Sequence, residues 1–224
     1  MSPGAVSPRP VSSRPVSSRA ARVLLGWCGF VLVGWGLGEL WTSIGPGEAQ
    51  LMREVARERS DGLVSVARVV TWAGSLWLLG PLALVASVLL YRAGHHEGAL
   101  LVALGLIGGA LMADVIKQLV ARPRPPVEHL QAVSGHSFPS GHATQAGAFW
   151  TSLLLAVRPV LGRAWARSLL ACACVVVVLA VCISRVILGV HYPSDVVAGA
   201  LLGGGWAVYL WRCACNDAPR GAAR

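Results

Sequence analysis

ALLVALGLIGGALMADVIKQLV, residues 99–120, is the stretch that decides the fold. As α-helix it would be roughly 33 Å long, the thickness of a bilayer's hydrocarbon core. Only Asp114, Lys117 and Gln118 interrupt its apolar run. The same ruler finds five further spans: Val23–Ser43, Val69–Tyr91, Ala143–Val160, Ser168–Val190 and Val196–Arg212. The fourth carries Thr144, Gln145 and Thr151, so it is expected to face protein more than lipid. The predicted class is all-α, a polytopic membrane protein with six transmembrane helices.

Composition agrees. Of 224 residues, 55% are hydrophobic and 13% charged, against about 25% charged in soluble domains. A water-soluble globule, a secreted disulfide scaffold and a disordered regulator are excluded. The Ser-, Pro- and Arg-rich residues 1–22 cannot bury enough apolar surface to offset their ordering entropy, so they are read as a disordered cytoplasmic tail. Residues 23–212 form the membrane domain and 213–224 a second cytoplasmic tail.

The net charge of +9 reads as topology, not as a nucleic-acid footprint. Arg9, Arg14, Arg19, Arg22, Arg92, Arg158, Arg163, Arg167, Arg212, Arg220 and Arg224 fall on one side of the six-span layout. The positive-inside rule makes that side cytoplasmic and places both termini there. A nucleic-acid binder would gather its cations on one face among aromatics.

Ionisable residues inside spans are costly and point to function. Asp114, Lys117, Arg185 and Asp195 all lie toward the outer ends of their spans, at the depth of the third-to-fourth loop and His191. Lys117, Arg124 and Arg185 are suited to phosphate oxygens, arginine as a fork and lysine as a point charge. Pro139-Ser140-Gly141-His142 adds a hydroxyl, a close-approach glycine and the amides of a helix N-terminus, which favour an anion. His191 and Asp195 are four apart, with Pro193 in a first helical turn. The carboxylate can therefore fix one imidazole nitrogen and leave the other to attack phosphorus. His142 is placed to protonate a leaving oxygen.

These residues, Lys117-x6-Arg124-Pro125, Pro139-Ser140-Gly141-His142 and Ser184-Arg185-x5-His191-x3-Asp195, resemble the three-part signature of the type 2 phosphatidic acid phosphatase superfamily. The resemblance implies a phosphohistidine on His191, with Asp195 as its partner and His142 as the acid. It also implies that Lys117, Arg124, Ser140, Gly141 and Arg185 hold the phosphate, without metal or other cofactor. The substrate implied is a membrane lipid phosphate or isoprenyl diphosphate, met at the outer surface of the cell membrane. Transfer to an acceptor other than water, or phosphate binding by a transporter without turnover, are the alternatives.

Four further expectations concern residues outside the signature. Asp114, three residues before Lys117, reads as a structural ion pair with it. His129 and His136 read as solvated loop histidines. Glu48 to Arg59 is amphipathic, and reads equally as a helix on the outer membrane surface or a solvated loop helix. Cys28, Cys172, Cys174, Cys182, Cys213 and Cys215 lack zinc spacing and read as small buried hydrophobes.

Overall fold

The computed structural model describes residues 16–43 and 46–215. They form eight α-helices: α1 (Val16–Ser43), α2 (Pro46–Glu58), α3 (Asp61–Val70), α4 (Leu76–Arg92), α5 (His96–Val120), α6 (Gly141–Val157), α7 (Ala164–Ile187) and α8 (Pro193–Cys215). A 3₁₀ turn, Thr71–Gly74, joins α3 to α4. Among the described residues there is no strand.

Four segments are long and apolar enough to cross a bilayer: Ser18–Thr42, His96–Val120, Ala164–Ile187 and Pro193–Cys213. The pair α3 and α4, bent by 41°, makes a fifth if it is one broken span. The expected second span, Val69–Tyr91, is therefore not one straight helix. Hydropathy reads through the interruption, but Ser75 adopts an extended ψ of 136° and caps α4 with its hydroxyl. The expected fourth span corresponds to α6, which has 17 residues, fewer than the ~20 that usually cross. Its Ala143, Thr144, Ala146, Ala148, Phe149 and Ser152 are buried, so it does face protein.

The helical boundary at the N-terminus also departs from expectation. Helix α1 begins at Val16, so the proposed tail is helical over its last seven residues, and residues 1–15 lie outside the described part. Arg19 and Arg22 make the extension tolerable. The Arg19 guanidinium pairs with Glu97 at 3.2 Å, and the Tyr209 hydroxyl donates to the Arg22 carbonyl at 2.8 Å. Helix α8 continues through Cys215, and 216–224 lie outside the described residues. Of the cysteines, Cys174 and Cys182 are buried, whereas Cys28 and Cys172 are exposed on apolar helix faces; the Cys215 side chain is outside the description.

Helices α6 and α8 are pressed together, and that contact positions everything that follows. A Cβ on Gly203 would stand 2.0 Å from the Thr144 carbonyl oxygen, and one on Gly147 would stand 2.5 Å from the Ala200 carbonyl oxygen. Small residues give this closeness where lipid supplies no hydrophobic drive for helices to associate. Phe138, Met112, Ile116, Phe149 and Trp206 fill the space toward α1 and α5. Large apolar side chains such as Leu25, Trp77, Leu111 and Leu201 point outward.

Helix α2 turns its apolar face to the protein, with Met52 fully buried and Val55 and Ala56 half-buried. Its end is tied down by Arg59, which donates to the carbonyls of Glu128 and Ile187 at 3.2 and 3.4 Å. The helix lies over the end of the bundle where α6 and α8 begin.

Candidate active site

The close α6–α8 packing brings two helix N-termini side by side. The backbone amide of Ser140, just before α6, donates to the carbonyl of Asp195 in the first turn of α8 at 3.0 Å. Ser140 occupies the N-cap of α6, but its hydroxyl makes no capping hydrogen bond. An N-cap serine ordinarily accepts from an amide of the first turn. Here that turn's amides are left without a side-chain cap, and the buried Ser140 Oγ has no partner.

His191 and Asp195 lie opposite. His191 Nδ1 is 3.6 Å from Asp195 Oδ2, while Nε2 faces Arg124 Nη1 at 3.5 Å. The carboxylate therefore addresses one ring nitrogen and leaves the other toward the cations. Burial pushes the imidazole from its ordinary 6.5 down to about 3, although the Asp195 carboxylate pulls the other way. His191 is thus neutral near pH 7, with a lone pair to offer.

Asp195 is completely buried and held on every side. Arg122 Nη1 donates to Oδ1 at 2.6 Å, and the Ser137 hydroxyl and the Tyr192 amide donate to Oδ2 at 2.5 and 2.9 Å. The network continues outward to α2. Arg122 Nη2 donates to Glu48 Oε2 at 2.8 Å, and Ser194 donates to the same carboxylate through its amide at 2.8 Å and its hydroxyl at 2.6 Å. The Arg122 guanidinium also lies 4.2 Å above the Tyr192 ring, a cation–π contact.

Three further cations surround the imidazole, fixed by neutral acceptors. Lys117 Nζ donates to the carbonyls of His136 at 3.1 Å and Pro139 at 2.6 Å. Arg124 donates to the carbonyls of Gly135, Ser134 and Val190 at 3.1, 2.9 and 2.7 Å. Burial holds its guanidinium below its usual basicity. Arg185, 1% exposed, donates to the Thr71 hydroxyl at 2.8 Å and to the Gln131 side chain. Its Nε is buried without a partner. Buried donors left unpaired need an explanation, and the oxygens of an anion bound there would supply one.

All eight residues singled out from sequence meet at this end of the bundle. Arg185, His191 and Lys117 act electrostatically on His142, and a Cβ on Gly141 would come within 3.9 Å of Lys117 Cε. Asp114 does not behave as expected. It is exposed, and among the described residues it forms no ion pair, because Lys117 turns to the loop carbonyls instead. His136 is half-buried with an unpartnered Nδ1, and exposed His129 reaches the Pro125 carbonyl at 3.0 Å. His136 is therefore not simply solvated, whereas His129 remains a solvent-exposed loop histidine.

Sequence reasoning gave no role in the site to Arg122, Glu48, Ser137, Thr71 or Gln131. Ser137 had a signal, since it stands three residues before Ser140. Glu48 had none, because its partners lie 74 and 146 residues away. Among the described residues, no group of three or more His, Cys, Asp or Glu side chains is arranged to hold a metal ion.

A bundle that carries buried cations and an oriented neutral histidine at the junction of two helix N-termini is a helical membrane protein with a candidate anion site. Residues 98–217 match the family model of the PAP2 superfamily, and the chain belongs to that family. It is 35% identical over 166 residues to the decaprenylphosphoryl-5-phosphoribose phosphatase of Mycobacterium tuberculosis, covering 70% of this chain and 85% of that one. It is 37% identical over 123 residues to the lipid A 1-phosphatase of Rhizobium etli, where the match covers 48% of each chain, about half that relative's length. The fold is shared with the transmembrane PAP2-type phosphatidylglycerolphosphate phosphatase of Bacillus subtilis, at a TM-score of 0.75 and 24% identity over 87% of this chain and 98% of that one.

Proposed function

We propose that this protein is an integral-membrane phosphatase that removes a phosphoryl group from a lipid through a phosphohistidine on His191. The observation that carries the reading is the neutral, Asp195-oriented imidazole surrounded by Lys117, Arg124 and Arg185, with Ser140 Oγ and Arg185 Nε buried and unpaired. Binding alone would need the cations but not an oriented nucleophile.

In this mechanism His191 Nε2 forms the bond to phosphorus while the bond to the lipid oxygen breaks. Asp195 holds the proton on Nδ1 and stabilises the charge that develops on the ring. Lys117, Arg124, Arg185, the Ser140 hydroxyl and the amides at Gly141 and His142 bear the three equatorial oxygens. Burial and the neighbouring cations push the His142 imidazole of the free protein down to about 3, so it takes up its proton as the phosphate dianion enters and neutralises those cations, and gives it to the leaving oxygen. Water then attacks the phosphohistidine and releases phosphate. The chain's own cations neutralise the phosphoryl charge, so no step calls on a metal.

The relatives' names favour a phosphomonoester carried on a lipid, and the isoprenyl diphosphates share its chemistry. The loop arginines support six spans with both termini inside and the site at the outer face of the membrane. There the substrate reaches the cations by sliding within the outer leaflet.

The test is phosphate release by the detergent-purified protein with excess chelator, from phosphatidate, phosphatidylglycerol phosphate and undecaprenyl diphosphate. His191→Ala should abolish release, and ³²P from the labelled lipid should be trapped on the wild-type protein as an acid-labile, base-stable adduct. Release that survives His191→Ala, or that depends wholly on metal, would refute the mechanism. His142→Ala should spare a nitrophenyl phosphate relative to an alkyl phosphate. An equal loss on both would remove His142 from the acid's role.

A further inference from the structure

Arg185 is buried on α7, and among the described residues two neutral oxygens hold it and no carboxylate pairs with it. The Thr71 hydroxyl and the Gln131 side-chain oxygen both accept from the same nitrogen, Nη1. A guanidinium carries five N–H groups, two of them on Nη1, so these acceptors use up one corner of the fork. The edge formed by Nε and Nη2 makes no hydrogen bond among the described residues, and Nε is buried. Such an edge can take two oxygens of one phosphoryl group side by side.

The two acceptors are delivered by one end of α3. Thr71 is the C-cap of that helix and opens the 3₁₀ turn that separates it from α4. An interruption in an apolar segment frees backbone groups that must be satisfied within the protein, and here the turn is packed against the site. Trp150 of α6 donates to the Ala73 carbonyl at 3.0 Å. A Cβ on Gly74 would stand 2.8 Å from the His142 carbonyl oxygen and 2.6 Å from Val181 Cγ1, one helical turn before Arg185. Gln131 sits in the loop between α5 and α6, and Arg68 of α3 ties that loop down by donating to the Leu130 carbonyl at 3.3 Å.

Resting on the phosphatase reading, we propose that Thr71 and Gln131 are positioning residues that saturate Nη1 of Arg185 and so turn its Nε–Nη2 edge toward the phosphoryl group. Neither touches the substrate. A carboxylate in either place would hold the guanidinium as firmly, but it would cancel the charge that the phosphoryl oxygens meet. A fork fixed in advance serves the transition state more than the bound substrate. The pair should therefore act on kcat more than on KM.

The test uses the full-length protein in mixed micelles. It reads kcat and KM on whichever of phosphatidate, phosphatidylglycerol phosphate and undecaprenyl diphosphate turns over, and inhibition by orthovanadate, whose five-coordinate form imitates phosphoryl transfer. Thr71→Val removes the acceptor and nearly keeps the shape. It should lower kcat and weaken vanadate about tenfold, the worth of one hydrogen bond to a charged group, and change KM by less than about threefold. Thr71→Ser should restore most of both losses. Gln131→Met, on the loop and away from the helix break, should show the same split, and it decides the matter if Thr71→Val does not fold. Unchanged kcat in the folded variant overturns the proposal. So does a Thr71→Ser no better than Thr71→Val, or a loss of activity and thermal midpoint with vanadate affinity unaltered, which would mark a structural role alone. A wild type inactive on all three lipids instead overturns the phosphatase reading. Vanadate binding, read as thermal stabilisation, then decides the positioning: weaker in Thr71→Val upholds it, and equal in both refutes it.

Discussion

Glu48→Gln isolates the outer end of the network that holds the nucleophile's partner. The amide keeps the shape of the carboxylate and its reach to Ser194, but it removes the charge that faces Arg122 at 2.8 Å. Arg122 is 3% exposed and stands 2.6 Å from a fully buried Asp195, so the two carboxylates share one guanidinium. A hydrogen bond to a charged group contributes about 1.5–3 kcal/mol. The Glu48 side chain is 21% exposed, which argues for the lower figure of about 1.5 kcal/mol.

That energy is roughly a factor of ten in rate, and it should appear in kcat. The network meets the substrate only through His191 Nε2, while Lys117, Arg124 and Arg185 bind the phosphate by other routes. KM should therefore change by less than about twofold. Arg122→Met leaves Asp195 buried without its cation, which costs about 3–5 kcal/mol, so kcat should fall beyond a hundredfold and the thermal midpoint should drop. Because Glu48 acts through Arg122, the double variant should be no worse than Arg122→Met. The assay is kcat and KM on a micellar lipid phosphate, beside thermal unfolding in detergent. Glu48→Gln with unaltered kcat and a lowered midpoint would show that Glu48 only fastens α2, and additive losses would refute the shared guanidinium.

Four other outcomes are expected. Between pH 6.5 and about 3 the unfolded chain carries a proton on His191 that the folded chain does not. Acidification from 6.5 to 5 should therefore destabilise the wild type by up to about 2 kcal/mol, and the loss should shrink in His191→Gln when unfolding is followed at both pH values. Ser140→Ala should lower kcat/KM about tenfold with almost no change in thermal midpoint, since its hydroxyl caps nothing; a clear drop in stability would show that it does. Gly203→Val, whose Cβ would stand 2.0 Å from the Thr144 carbonyl oxygen, should separate α6 from α8 and abolish both folding and turnover. Gly36→Ala, which meets nothing within 4 Å, should be neutral by size-exclusion and activity.

What could be read from the chain followed the reach of each signal. That Lys117, Arg124, Ser140, His142, Arg185, His191 and Asp195 would gather at one end of the bundle was legible because each lies within a few residues of another member of its group, and helix geometry then fixes their side. The break at Thr71–Gly74 was not legible. Every residue from Val69 to Leu79 suits a span, and the reason to interrupt it, Thr71 accepting from Arg185, lies 114 residues away. Asp114 misled for the opposite reason. Its spacing from Lys117 permits an ion pair, but Lys117 finds two carbonyls across the loop, and spacing cannot weigh such a competitor.

The charge balance of the site was the least legible feature and is the one that best supports the phosphate reading. Counted along the chain, Asp195 looks like a counter-ion for the nearby cations. In the folded protein Arg122 takes that carboxylate, and Glu48 in turn takes part of Arg122. Lys117 and Arg124 are held by carbonyls, and Arg185 by a hydroxyl and an amide, whose dipoles fix position without cancelling charge. Three cations therefore keep an uncompensated field in a low-dielectric setting, where it acts most strongly on an incoming dianion. Burial keeps His191 neutral, and the cations act in the same direction, because a protonated imidazole would be a fourth like charge. Had Asp195 paired with Arg124 or Lys117 instead, the pocket would hold less positive potential and the imidazole would lose its orienting partner. On the proposed reading, the strength of phosphate binding thus depends on a carboxylate and a guanidinium, Glu48 and Arg122, that lie outside the expected phosphate ligands.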